Sequence, residues 1–448
     1  MKITGIELNN FRSIRQLSIK IGNGNTKSIK KLVAIYGENG AGKSTIIDSF
    51  KNLSLSIRTL DNLEKFIKFR DKIIEQNKDS TFDPSTILEQ SKDRLFTNVH
   101  DVFKDCHTVN TEENTVIKYN YSLNGKQGYY QLTFSKDNEL IEEKMYHILN
   151  KNRGTLFDIR KDKVVTLNSG IIKDHSLKKE IINMIRRYWG QHTFLAILAN
   201  EVKNNNYEFI KNNIKNNILS FIDNVAKMSI FQHSVTSELI VSSQRIQGFN
   251  IEKGRIPLSW EKNLNRIEEI LDTFISSSYS DVLKVFYRKE KNTKSIQYEL
   301  FFKRLIGGEP TNISVKLESG GTRRLIRILP LLLDAIKGHI VVIDEIDNGI
   351  HDLLICQILN SISKNIKGQL IFTTHNTVLM NSISSSDVYI LNTDRNGRKE
   401  IYSLDEFGIR STNNISKMYL GGKFDGIPYP DKEGMEVMME EIAQHEKD

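Results

Sequence analysis

The chain has 448 residues, 39 % of them hydrophobic and 26 % charged, and carries a formal net charge of +8. That length and apolar content allow two or three domains with buried cores and exclude a disordered chain. No run of 18 apolar residues offers a membrane span, and the two cysteines, Cys106 and Cys356, stand too far apart in sequence to suggest a disulfide framework or a zinc site.

In chain order, the opening MKITGIELNNFRSIR lacks the apolar centre of a signal peptide, so a cytoplasmic location is expected. Met1 to Leu8 and Leu32 to Tyr36 are rich in Ile, Leu and Val and predict strands. The second runs into Gly37-Glu38-Asn39-Gly40-Ala41-Gly42-Lys43-Ser44, a complete G-x-x-x-x-G-K-[ST] match. A strand before and a helix after are what a phosphate loop requires. Its glycines let backbone N–H groups face the phosphates without a Cβ in the way, and the helix N-terminus adds positive potential. Lys43 is expected at the β- and γ-phosphates of ATP, and the Ser44 hydroxyl on Mg²⁺. Gly37, Asn39, Gly40, Gly42 and Thr45 complete the candidate nucleotide ligands of this segment.

Residues 44–76 read as helix, with Ile46, Phe50, Leu53 and Ile57 on one face. A β-meander follows: Ile117, Tyr119, Tyr121 and Leu123 alternate with polar neighbours, Asn124-Gly125 is a hairpin signal, and Tyr130, Leu132 and Phe134 alternate on the return. These elements make an N-terminal lobe, 1–195. Residues 196–285 read as a helical arm inserted between two halves of one head, with stripes at Ile210, Ile214, Ile218, Phe221 and Val225, then at Leu264, Ile267, Ile270, Leu271 and Phe274. Arg186, Arg187, Tyr188 and Trp189 mix basic and aromatic residues, and a helix edge packed on the core accounts for them better than a nucleic-acid contact.

The C-terminal lobe, 286–448, returns to an α/β pattern. Strands are predicted at Ile296 to Phe302, Ile340 to Ile343, Leu370 to Thr373 and Val388 to Leu391, and a buried helix at Gly321 to Ile336. Glu318-Ser319-Gly320-Gly321 opens that helix, with Ser319 placed as its N-cap. The strand Ile340 to Ile343 ends in Asp344-Glu345. In a nucleotide site the first acid holds Mg²⁺, and the second acts as general base on the attacking water. His375 follows a strand in Phe-Thr-Thr-His-Asn. The stretch 431–448 holds seven acids and two lysines, a net of −5, which leaves +13 on the first 430 residues. That basic body suits either nucleic acid or an acidic protein partner.

The order of phosphate loop, Ser-Gly-Gly helix, strand-Asp-Glu and strand-Thr-His resembles the ABC-type ATPase heads of the SMC, RecF and OLD group, as does Asn9-Asn10-Phe11-Arg12-Ser13 at the start. The resemblance covers about 1–50 and 310–448. It implies an α/β fold, a P-loop ATPase head of ABC type with an antiparallel β subdomain and an inserted helical arm. It also implies a dimer sandwiching two ATP molecules. Ser319, Gly320 and Gly321 would then cap the γ-phosphate held by the other subunit, His375 would sense that phosphate, Arg12 would approach the nucleotide, and Asp347 would lie in the loop crossing the dimer. Arg323 and Arg324 are further candidates for the phosphates. Thr322 stands where the group has Gln or Glu, and Gln191 and Gln131 are the candidates for its glutamine loop.

A closer likeness lies in Asn392-Thr393-Asp394, Glu400 to Leu404, Tyr419-Leu420-Gly421-Gly422-Lys423-Phe424 and Gly426-Ile427-Pro428, which are similar to a branch of bacterial anti-phage ATPases related to the Septu and PARIS subunits. That implies a separate effector, a nuclease or toxin, controlled by an ATP-bound dimer or higher oligomer. A RecF-like repair ATPase that clamps DNA, and an ATP-binding scaffold with little turnover, are the competing readings. No Asp-x-Asp pair on an apolar strand follows His375, so a built-in OLD-type nuclease is not expected. The 301-position separation of Lys43 and Asp344 speaks against a compact transporter subunit.

Overall fold

The computed structural model describes residues 1–22, 29–76, 88, 95–148, 153–162, 164–204, 207–233, 238–241, 249–409, 414–426, 435–439 and 442. The chain opens with a hairpin, β1 (Lys2–Phe11) and β2 (Ile14–Lys20). Strand β3 (Leu32–Gly37) then leads through the glycine loop into α1 (Lys43–Ser56), followed by α2 (Thr59–Gln76) and α3 (Val99–Phe103). The meander is β4 (Thr115–Leu123), β5 (Lys126–Phe134), β6 (Leu140–Ile148), β7 (Arg153–Arg160) and β8 (Val165–Leu167). Four helices come next, α4 (His175–Tyr188), α5 (Phe194–Asn204), α6 (Tyr207–Asn213) and α7 (Asn216–Ala226), and then β9 (Ser229–His233), β10 (Glu238–Val241), β11 (Lys253–Pro257) and α8 (Glu261–Ser278). The remainder runs β12 (Val282–Lys291), β13 (Ser295–Ile306), β14 (Glu309–Ser314), α9 (Gly320–Lys337), β15 (Ile340–Ile343), α10 (Asp352–Ser363), β16 (Gln369–Thr373), α11 (Thr377–Met380), β17 (Val388–Thr393), β18 (Lys399–Ser403) and α12 (Ile415–Leu420).

A seven-stranded sheet, ordered β10-β9-β15-β16-β3-β17-β18, carries the phosphate loop; its five inner strands are parallel and its two edges antiparallel. Inner strands buried on both faces need apolar residues at nearly every position, and Leu32-Val33-Ala34-Ile35-Tyr36 and Ile340-Val341-Val342-Ile343 supply them. Val33, Ile35, Ile230, Val342 and Ile371 pack toward α1 and an antiparallel sheet, β2-β1-β4-β5-β6-β7-β8. Ala34, Tyr36, Phe231, Val341, Ile343 and Phe372 pack toward α8, α9 and a third sheet in which β13 pairs with β11, β12 and β14. The α/β head with an antiparallel β subdomain is therefore the architecture. Among the described residues no helix is long and apolar enough to cross a membrane.

Two local expectations change. The helix over 44–76 is broken at Ile57–Arg58, where side chains compete for the backbone: Ser56 Oγ donates to Leu53 O at 2.9 Å and Thr59 Oγ1 to Ser56 O at 3.2 Å. The stretch 196–285 is not a helical arm throughout. It contains β9, which lies parallel beside β15 inside the phosphate-loop sheet, and the α6–α7 stripe Ile210, Ile214, Ile218, Phe221 and Val225 is fully buried against the antiparallel sheet. Tyr188 and Trp189 pack on that same core at the end of α4, as the structural account of the Arg-Arg-Tyr-Trp run expects. Ile427, Pro428 and most of the acidic stretch lie outside the described residues; in its described part, Met435, Met438 and Met439 are exposed.

One buried carboxyl ties the two halves of the N-terminal lobe together. Glu143 on β6 is fully buried; it accepts from Phe194 N at 2.5 Å and Leu195 N at 3.2 Å at the start of α5, and from Tyr130 Oη at 2.9 Å. Burial pushes it up to about 7. A raised acid favours the folded state most where it is protonated in both states, and that contribution is lost as pH rises from the ordinary carboxylate range through about 7. Glu143→Gln keeps an acceptor for the two N–H groups. Between pH 4.5 and 7.5 the wild-type denaturation midpoint should fall relative to the variant by an amount equivalent to about 3 kcal/mol; parallel profiles would refute the assignment.

Candidate functional site

The glycine loop sits at the C-terminal end of β3, where open parallel sheets place their ligands. Gly37, Gly40 and Gly42 have φ of 156°, 80° and 109°, so side chains at Gly40 and Gly42 would be strained. At Gly37 the obstacle is space, since a Cβ would stand 2.4 Å from Leu391 O. Lys43 is 6 % exposed and turns back on the loop, donating to Gly37 O and Glu38 O at 2.9 Å each. Burial lowers its ammonium to about 8, against the opposing pull of Asp344, Glu345, Asp347 and Glu38. Asn39 and Ser44 are exposed, and Thr45 is buried just behind them.

β15 delivers Asp344 and Glu345 two strands away, with β16 between. Thr373, the last residue of β16, bridges the gap: its Oγ1 donates to Asp344 Oδ1 at 2.6 Å and accepts from Glu345 N at 2.8 Å. Asp344 is 2 % exposed, and burial raises its pKa, opposed by hydrogen bonds from Thr373 and Ser44. The contact between Ser44 and Asp344 brings two hard oxygen donors together at the first turn of α1, a donor set that suits Mg²⁺ completed by phosphate and water. Among the described residues no group of three or more His, Cys, Asp or Glu converges as a self-contained metal site.

Glu345 has φ 48°, a left-handed conformation rare for a side chain of its size. Three bonds hold it there: Thr373 on its N–H, Arg324 Nη2 on its carbonyl at 2.5 Å, and Asn348 Nδ2 on its Oε2 at 3.1 Å. Such strain persists only where the surroundings over-determine it. Asp347 and His375 join the same cluster. Burial raises the Asp347 pKa, and its Oδ1 is buried without a hydrogen-bond partner among the described residues; partial desolvation and then Lys43 lower the His375 pKa.

Ser319 caps α9, its Oγ accepting from Thr322 N at 3.1 Å and lying 2.9 Å from Thr322 Oγ1. Thr322 thus completes the cap from the position where Gln or Glu was the pattern. Ser319 and Gly320 face solvent, while a Cβ on Gly321 would meet Gly349 O at 1.9 Å. The start of α9 is packed on the 344–351 loop and presents its outer face outward. Arg12 (φ 52°) bonds Asp48 on α1, and Ser13 Oγ stands 3.5 Å from Thr45 Oγ1.

The two arginines after the glycines are engaged by protein groups. Arg324 is 5 % exposed and spends its guanidinium on the Asp344 and Glu345 carbonyls and the Phe231 ring; Arg323 is bound to Glu252, at 3.2 and 2.6 Å. Neither candidate glutamine reaches the site. The Gln131 side chain is taken by Thr133 and Glu142 on the antiparallel sheet, and the Gln191 carbonyl accepts from Val99 N. Among the described residues, Gln232 near the end of β9 lies beside Asp344. Its Nε2 donates to Asp48 Oδ1 at 2.8 Å and its Oε1 accepts from Lys51 at 3.0 Å. Only the pairing of β9 with β15 singles it out.

The family model described as "AAA domain, putative AbiEii toxin, Type IV TA system" matches residues 32–381, which include the loop, the paired acids and His375. Solved structures with similarity include SMC heads. One bound to the C-winged helix domain of ScpA is 12 % identical, covering 91 % of this chain and 100 % of that one, at a TM-score of 0.42. The Thermotoga maritima head is 14 % identical, with 90 % and 99 % covered, at 0.38. A Pyrococcus furiosus head with an extended coiled coil, bound to the C-terminal domain of ScpA, is 13 % identical, with 91 % and 98 % covered, at 0.42. No curated protein matches the chain.

Proposed function

This chain belongs to the AAA-domain family whose model spans 32–381, and from that premise we propose that it binds and hydrolyses ATP as a dimer that controls a separate effector in bacterial anti-phage defence. The observation that carries the reading is the convergence of Lys43, Ser44, Asp344, Thr373 and Glu345 at the ends of three adjacent parallel strands. Lys43 exchanges its carbonyl partners Gly37 and Glu38 for phosphate oxygens. Ser44 and Asp344 hold Mg²⁺, which neutralises phosphate charge when bound. Glu345, locked by Thr373, Arg324 and Asn348, orients the attacking water and takes its proton. His375, within electrostatic reach of Lys43, Glu345, Asp347 and Asp344, supplies the contact to the γ-phosphate.

Dimerisation is supported by the solvent-facing Ser319–Gly320 helix start, a positive N-terminus that suits an anion held by another copy. The defence role is supported by the family description and by the C-terminal runs similar to anti-phage ATPases. Light scattering should give a monomer without nucleotide and a dimer with ATP, and Ser319→Arg should prevent the dimer while ATP still binds. A wild-type mass unchanged by ATP would refute the dimer. For the defence role, cells carrying the chain with its neighbouring reading frames should lose protection from phage on Lys43→Ala. Equal plaque counts would remove that role, and salt-dependent duplex binding would favour a DNA clamp instead.

A further inference from the structure

The phosphate loop has a second lysine, supplied from the far end of the sequence. Lys399 opens β18 and is 9 % exposed. Its Nζ donates to Ser13 Oγ at 2.9 Å and to Gly40 O at 3.2 Å, and a Cβ on Gly42 would come within 3.0 Å of it. Lys43 holds the carbonyls of Gly37 and Glu38 and Lys399 holds that of Gly40, so two ammonium groups bracket the loop. They differ in their surroundings. Lys43 feels four carboxylates, whereas among the described residues no carboxylate pairs with Lys399, and burial alone acts on it, lowering its pKa.

A buried ammonium bonded only to a hydroxyl and a carbonyl is costly unless an anion compensates it. The anion within reach is the one the loop is shaped to hold. We propose that Lys399 is a positioning residue of the nucleotide site: it fixes the Gly40–Gly42 arc against Ser13 and lends a positive charge to the phosphates of bound nucleotide. This rests on the reading of the loop as an ATP site. It also makes the β17–β18 hairpin part of that site, so that the C-terminal lobe is felt by nucleotide through one side chain.

The test compares Lys399→Met, of similar length but neutral, with Lys399→Gln, neutral but able to donate to Ser13 and Gly40. Titration calorimetry with ATP and with AMP, at two salt concentrations, supplies the readout, and thermal unfolding without nucleotide checks the fold. Each folded variant should bind ATP about 10- to 100-fold more weakly. AMP, with fewer charges, should lose less, and the salt dependence of ATP binding should flatten. Either variant suffices if the other does not fold. ATP affinity within about twofold of wild type, or an equal loss for ATP and AMP, would overturn the proposal and leave Lys399 a structural residue. Lys43→Ala serves as the control for the underlying reading: if it too leaves ATP affinity unchanged, the loop is not the nucleotide site, whereas failure confined to Lys399 leaves that reading intact.

Discussion

Lys43→Ala is expected to raise the Kd for ATP by about 10²–10³-fold, which places binding beyond most titrations. The free protein already spends this ammonium inside the loop, on Gly37 O and Glu38 O, rather than in water. Phosphate oxygens therefore compete with two neutral carbonyls, not with bulk hydration, and they add the Coulomb attraction of opposite charges to the hydrogen bonds. Burial holds Lys43 at about 8 in the free chain, and bound phosphates would hold it charged well above that. Affinity should then be level below about pH 8 and fall by up to tenfold per pH unit above it, because one proton must be taken up on binding. Calorimetry across that range checks the sign. A profile level to about pH 9.5 would show that Lys43 does not carry the phosphate contact, as would an unaltered Kd for the alanine variant.

How much of this site can be read from sequence depends on whether its parts are contiguous. The glycine loop is legible because phosphate binding constrains eight consecutive residues, and Asp344-Glu345 because a buried strand announces the acids at its end. The helix beginning at Ser319 is legible as a cap followed by a long apolar face. Gln232 is not, since Ser229–His233 offers a short strand in a polar, helix-like neighbourhood and gains meaning only from hydrogen bonding to β15. Arg324 misleads for a related reason: beside two glycines it reads as a phosphate ligand, yet α9 turns it inward onto the Asp344 and Glu345 carbonyls. Lys399 lies 386 positions from the serine it bonds, a pairing that only the sheet order β3-β17-β18 creates. The break between α1 and α2 is missed because Ser56 and Thr59 act through backbone bonds that periodicity ignores.

Glu345→Gln is expected to slow ATP hydrolysis about 10²–10⁴-fold while leaving ATP binding intact, because only the proton acceptor is removed. The Asn348 side chain donates to Oε2 at 3.1 Å and can donate equally to an amide oxygen, so the side chain at 345 keeps its place. The backbone is held independently, by Thr373 on the N–H and Arg324 on the carbonyl, so the left-handed turn survives the substitution. That separation makes the variant diagnostic. If Glu345 were only structural, the amide would be tolerated and turnover would persist; phosphate release at the wild-type rate would sink its role as base. Slowed hydrolysis with ATP still bound should also prolong the ATP-bound assembly, so light scattering on Glu345→Gln with ATP should show a dimer that outlasts the wild-type one. Thr373→Val supplies the complementary measurement. It removes the hydroxyl that holds both Asp344 Oδ1 and Glu345 N, and should lower turnover together with Mg²⁺-dependent ATP affinity. Loss of the two together separates a residue that aligns both acids from one that acts on the proton alone.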